Sequence, residues 1–134
     1  MKKKEVLKKL ENDEDYYGEF GKKYLSNSDI STLLTNPLLL GERQPMISAF
    51  LIGGYFHTAI LEPEKLMNFK IVDTTSRNTN VYKEISNGEI CMLQHEADKT
   101  QVLVETMMSN EVCRSLIRDG NVEYEVPGVT ELFG

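Results

Sequence analysis

The sequence predicts an α+β fold, helix-rich at the front and strand-forming mainly towards its end. Three observations carry this expectation. Residues 44–61 contain no formally charged side chain, and Ile47, Phe50, Leu51, Ile52, Phe56, Ile60 and Leu61 fall on every face at helical spacing. A helix apolar all round is a buried one. Residues 96–109 have a helix's length, with apolar positions at Ala97, Leu103, Val104, Met107 and Met108. Strand character is confined to residues 69–72, which are apolar and β-branched at Ile71 and Val72, and to residues 121–126, which alternate. At 134 residues and 40% apolar content, the chain supports one core and one domain over residues 1–134. Residues 1–23 read as a charged amino-terminal extension of it.

The elements follow in order. Residues 3–11 suit a short charged helix with Val6, Leu7 and Leu10 on one side. Residues 12–19 are an acidic break containing Tyr16 and Tyr17. Ser28 is expected to cap a helix running to about Thr35, with Asp29 favourably placed at its positive end. Pro37 starts an apolar turn, Leu38 to Leu40, closed by Gly41. The buried helix spans residues 45–61, and Pro63 stops it and opens a short helical turn through Met67. A strand at 69–72 leads into a polar loop over 73–80, and Asn87-Gly88 marks a turn. After the 96–109 helix, Asn110 caps a second helix, residues 111–118, ended by Asp119-Gly120. The strand at 121–126 comes last, before a Pro127-Gly128 turn.

Charge narrows the function classes. A net charge of −6 argues against a surface built mainly to hold nucleic acid. The first 25 residues hold seven lysines, but Glu5, Glu11, Asp13, Glu14 and Asp15 dilute them into a mixed, solvated face. Cys91 and Cys113 lack metal-ligand spacing and read as ordinary thiols of a reducing compartment. The amino-terminal lysines precede no apolar core of a secretory signal. The uncharged run holds too many polar and helix-weakening residues for a membrane span. A soluble, cytoplasmic protein with no membrane partner is expected.

The segment Gly53-Gly54-Tyr55-Phe56-His57, followed by Leu61-Glu62-Pro63-Glu64, carries the most chemistry. Gly53 stands one turn before His57 on the same helix face, where a glycine lets a backbone or ligand approach the imidazole. A histidine in such a helix is either a hydrogen-bonded core residue or a ligand. Other clusters read more plainly. His95, Glu96 and Asp98 suit the capping and solvation of a helix start. Met107-Met108 suits core packing. Tyr16, Tyr17 and Tyr24 near lysines could stack on bases, although surface aromatics are the simpler account.

The Gly-x-x-x-His pattern with Leu-Glu-Pro-Glu resembles the first motif of the exodeoxyribonuclease VIII (RecE-like) nucleases, phage and prophage recombination enzymes of the PD-(D/E)XK superfamily. The likeness extends upstream to residues 25–34 with Asn36-Pro37. Downstream, residues 122–126 stand where that family has a strand leading into its catalytic hairpin. The resemblance implies the helix-rich front part of a PD-(D/E)XK nuclease-like fold, with its catalytic sheet incomplete. It implies a hydrolase acting on double-stranded DNA with magnesium, in the cytoplasm of a bacterial host. His57 takes the family's histidine role in catalysis and metal binding. Glu125 takes the earlier glutamate's role, with Glu123 second, since both would project from one face of a strand.

One departure limits the chemistry. Asp/Glu-x-Lys occurs nowhere in the chain, no aspartate follows Asp119 and no lysine follows Lys99. These groups hold the divalent ion and stabilise developing charge in such enzymes, so the chain alone is expected to be inactive. It is read as the amino-terminal portion of an exonuclease, or else as a non-catalytic helical interaction module derived from the same fold. On the first reading, an exposed edge on the 121–126 strand would favour self-association or a partner chain.

Overall fold

A computed structural model describes residues 1–42 and 44–132. The chain divides into two compact units, Met1–Gln44 with Glu125–Gly134, and Pro45–Tyr124.

The first unit is built from three short helices. In α1 (Lys3–Leu10), Val6 and Leu10 are buried four residues apart, while Glu5 reaches back to the Lys2 N–H at 2.9 Å. Residues 12–19, expected as a break, instead contain α2 (Asp13–Tyr17). The Asn12 side chain accepts the Glu14 and Asp15 N–H groups, and three acidic residues occupy the first turn, where the helix dipole favours them. The Lys9 ammonium sits 4.5 Å from the Phe20 ring centroid, between this pair of helices and the 3₁₀ turn Gly21–Lys23.

The third helix, α3 (Asn27–Thr35), is capped by Ser26 rather than Ser28. Ser26 and Asp29 form a reciprocal box, with Ser26 N–H on Asp29 Oδ2 at 2.8 Å and Asp29 N–H on Ser26 Oγ at 3.2 Å. Only this spacing satisfies both backbone donors, which Ser28 one residue before Asp29 could not do. The Ser26 N–H, then the Ser26 hydroxyl, hold the Asp29 carboxyl below its usual value. The helix stops at Asn36, held extended by Pro37 as expected.

The second unit is centred on α4 (Ser48–Leu61). It buries Tyr55, Ala59 and Ile60, but Phe50, Gly53 and His57 are exposed. The expectation of an all-round buried helix is therefore corrected: the apolar sequence faces a core on one side only. The 3₁₀ turn Pro63–Asn68 follows, then β1 (Ile71–Val72), α5 (Asn80–Ser86) and β2 (Met92–Leu93). The two strands pair in parallel, Ile71 with Met92 and Val72 with Leu93, and α5 makes the crossover. Neither α5 nor β2 was expected. The Thr79 side chain caps α5, and Asn87 in the left-handed region (φ 51°) ends it, with Gly88 (φ 84°) completing the expected turn.

Two helices finish the unit, the long α6 (Gln94–Ser109) and the short α7 (Glu111–Arg118), the latter capped by Asn110 as expected. The core has three connected parts. Val72, Tyr82, Cys91 and Leu93 pack on one side of the strands. Tyr55, Met92 and Ala97 pack on the other, with Phe69 edge-on to Tyr55 at 5.3 Å between centroids. Ala59, Ile60 and Val104 join α4 to α6, with Met107, Met108 and Ile117 against them.

Tyr82 ties α5 to the strand: its hydroxyl accepts the Cys91 N–H at 2.8 Å, in the core. Tyr82→Phe leaves that donor buried and unpaired, so it should destabilise the unit by about 1–3 kcal/mol. Urea unfolding followed by circular dichroism measures it; an unchanged midpoint would contradict this account of the α5–β2 link.

Residues 121–126 form no strand among the described residues. The Tyr124 hydroxyl donates to the Ile117 carbonyl at 2.6 Å and accepts from Arg118 at 2.8 Å, folding the segment back onto α7. Arg118 also donates to the Ile60 carbonyl at the end of α4. Glu125 then takes a left-handed backbone (φ 54°), which no strand accommodates.

Candidate functional site

His57 is displayed by the central helix. On α4, residues three and four apart share a face, so Phe50, Gly53 and His57 line one side over two turns. That side is the exposed one, with Phe50 56% exposed. A Cβ added to Gly53 would meet nothing within 4 Å, so space for an approaching group is present next to the imidazole. The expectation of a buried His57 is corrected. Tyr55, Ala59 and Ile60 take the core-facing positions, and the helical rotation from Tyr55 to His57, about 200°, carries the imidazole to the other side.

The carboxylates are placed differently from the expectation. Glu123 and Glu125 are exposed, and without a strand the alternation that would put them on one face does not apply. His57 and Glu123 belong to the Pro45–Tyr124 unit, and Glu125 to the unit formed by Met1–Gln44 and Glu125–Gly134. Glu62, at the end of α4, pairs with Lys65 at 2.8 Å in the turn that Pro63 starts. No group of three or more His, Cys, Asp or Glu side chains able to hold a metal occurs among the described residues.

A polar cluster tied by four hydrogen bonds lies elsewhere, and the sequence reading passed over half of it. Arg77, in the polar loop before α5, makes a two-pronged pair with Glu96 on α6, at 2.8 Å and 2.6 Å. Arg77 also donates to the Cys91 carbonyl at 3.1 Å, and Glu96 accepts the Leu93 N–H at 3.0 Å. The side chains are 28% and 15% exposed. The pairing with Arg77, followed by the Leu93 N–H, holds the Glu96 carboxyl below its usual value, and the Glu96 bond pushes Arg77 up. Glu96 thus caps α6, as expected of the His95-Glu96 start, while His95 and Asp98 are solvated. A lone arginine in a loop and a glutamate at a helix start carry no spacing signal for each other, being 19 residues apart.

Beside this cluster, Arg77, Tyr82, Lys83, Ser86, Glu89 and Ile90 line a shallow depression of about 380 Å³. Its rim bears both signs of charge. Tyr16 and Tyr17 are exposed and meet edge-on, with ring centroids 4.9 Å apart.

No helix among the described residues is long and apolar enough to cross a membrane. Comparison with known proteins finds no matching family model, no similar curated protein and no similar solved structure. The helix-rich architecture with a small sheet agrees with the α+β expectation at that level.

Proposed function

We propose that this chain is the front portion of a metal-dependent nuclease acting on double-stranded DNA in phage or prophage recombination, with His57 on its DNA-processing face. The observation that carries this reading is the Gly53–His57 face of α4. An imidazole open to solvent, one turn from a glycine with free space above it, suits a group that works on an incoming ligand. The order of the Gly-x-x-x-His and Leu-Glu-Pro-Glu segments supports it further. Glu125, with Glu123 as the alternative, is proposed as the family's earlier glutamate on the order of the motifs alone.

The chain's own residues do not fit a magnesium site. That ion demands a near-octahedral oxygen shell, and one imidazole with one carboxylate falls short of it. On this reading the Asp and Asp/Glu-x-Lys groups would be supplied from outside these residues. That same lack favours the second reading, a non-catalytic helical module of related fold.

The test has two arms. The pure chain, incubated with linear duplex DNA and Mg²⁺ or Mn²⁺, should release no nucleotides. The chain combined with the polypeptide encoded directly downstream should release them in a metal-dependent way. Activity of the chain alone, co-purifying with it, would overturn the assigned division of the site. A combination that stays inert would leave the non-catalytic module as the better reading.

A further inference from the structure

We propose that Asn87-Gly88 is a site of spontaneous deamidation, and that its conversion loosens the turn joining α5 to β2. The pair is the one Asn-Gly step in the sequence. Glycine has no side chain to shield its backbone nitrogen, so that nitrogen can attack the carboxamide one residue back. Both residues are exposed, and a Cβ added to Gly88 would meet nothing within 4 Å.

The geometry of the turn decides whether the nitrogen reaches the carboxamide. Residues Ser86 to Glu89 form a β-turn closed by the Glu89 N–H on the Ser86 carbonyl at 3.1 Å. Asn87 (φ 51°, ψ 41°) and Gly88 (φ 84°) make it type I′. With ψ at 41° the Gly88 nitrogen points away from the Asn87 side chain. Flipping the one peptide plane between them gives a type II′ turn, in which ψ of the first central residue is about −120°. That swings the nitrogen to the Cβ side, within reach of Cγ. The flip breaks no hydrogen bond. Among the described residues nothing bonds the Asn87 carbonyl, the Gly88 N–H or the Asn87 carboxamide, and both turn types keep the closing bond. Glycine suits that II′ position better than asparagine, so the flipped form is a minor one and the folded chain reacts more slowly than a free peptide.

The step balances without a partner. The Gly88 nitrogen bonds to Asn87 Cγ, the Cγ–Nδ2 bond breaks, and Nδ2 leaves as ammonia with the proton that the Gly88 nitrogen gives up. Water then opens the cyclic imide at Cγ to give aspartate, or at the backbone carbonyl to give isoaspartate. Either product places a negative charge at the C-terminal end of α5, where the helix dipole disfavours it. Isoaspartate also adds a methylene to the backbone between Ser86 and Glu89, in the connection that Tyr82 ties to the Cys91 N–H at 2.8 Å.

Incubation of the intact chain in mildly alkaline buffer, followed by peptide mass spectrometry, tests the proposal. Asn87 should convert to aspartate and isoaspartate, faster as pH rises. It should react about ten times faster than Asn121, which is exposed but precedes the β-branched Val122. Asn87→Gly accepts the left-handed backbone without strain and should remain a single species. After the same incubation the wild type should unfold at a lower urea midpoint than when fresh, while the variant keeps its own. Asn87 that stays intact, or converts no faster than Asn121, would overturn the proposal. So would a wild type converted at Asn87 that still unfolds at its fresh midpoint.

Discussion

Replacing Glu96 with alanine is expected to destabilise the Pro45–Tyr124 unit by about 2–3 kcal/mol, the largest effect of any single polar substitution here. Removing the carboxylate leaves Arg77 without its two-pronged partner and the Leu93 N–H without its acceptor. It thereby loosens three elements together: the loop before α5, the end of the strand pair and the first turn of α6. The full ~3–5 kcal/mol of a deeply buried broken pair is not expected, because both side chains retain some contact with water. Chemical unfolding of the variant at neutral pH measures the loss. A change within about 0.5 kcal/mol, the range of an ordinary surface substitution, would mean the pair holds nothing together.

The same pair sets an acid dependence. The folded Glu96 carboxyl titrates below its unfolded value, chiefly through Arg77. The unfolded chain therefore takes up its proton first as pH falls. The stabilisation is fully present above the unfolded value, and it is lost as pH falls towards and through the folded one. Wild-type stability should decline across that acid window, and Glu96→Ala should show a shallower decline. Parallel slopes for the two proteins would assign the acid sensitivity to other carboxylates.

Met92→Ala should cost about 3 kcal/mol. Met92 is 0% exposed, at the centre of the cluster that joins β2 to Tyr55 on α4 and Ala97 on α6. Truncation removes three heavy atoms from a site walled by a strand pair on one side and two helices on the other, where collapse to refill the space is restricted. Met67, 86% exposed on the turn after α4, is the control. Its replacement by alanine should change stability by less than about 0.5 kcal/mol. Equal losses at the two methionines would contradict the position of the core.

Much of the helical framework was legible because its signals are local. Asn110 caps α7, Asn36-Pro37 stops α3, and Pro63 ends the long α4, each through an interaction spanning three or four residues. The cap of α3 was displaced by two residues because Ser26 and Ser28 are both good caps, and only the box with Asp29 chooses between them. The strand β2 escaped notice since two residues leave no period to read, and its identity comes from pairing with Ile71 and Val72 some twenty residues away. The opposite error fell on residues 121–126. Their alternation suits a strand, but the bonds of Tyr124 to Arg118 and Ile117 fold them onto α7.

The site shows the same division between local and distant information. The shared face of Gly53 and His57 follows from helix geometry and holds in the structure. Its exposure does not follow, because seven apolar residues around a helix indicate burial without indicating how much of the circumference the rest of the unit covers. With two strands and α6 against it, α4 has a core on one side, and Phe50 and His57 remain open on the other.

That open side is the centre of the functional reading, and the two histidines of the chain allow it to be tested with an internal control. Both are exposed, but only His57 shares a face with Gly53 on α4, while His95 stands in the first turn of α6. The decisive measurement is metal-dependent nucleotide release from linear duplex DNA by this chain combined with the polypeptide encoded downstream, comparing His57→Ala with His95→Ala. The account predicts a loss on the order of 100-fold for His57→Ala and an unchanged rate for His95→Ala. Equal rates for the two variants would contradict it.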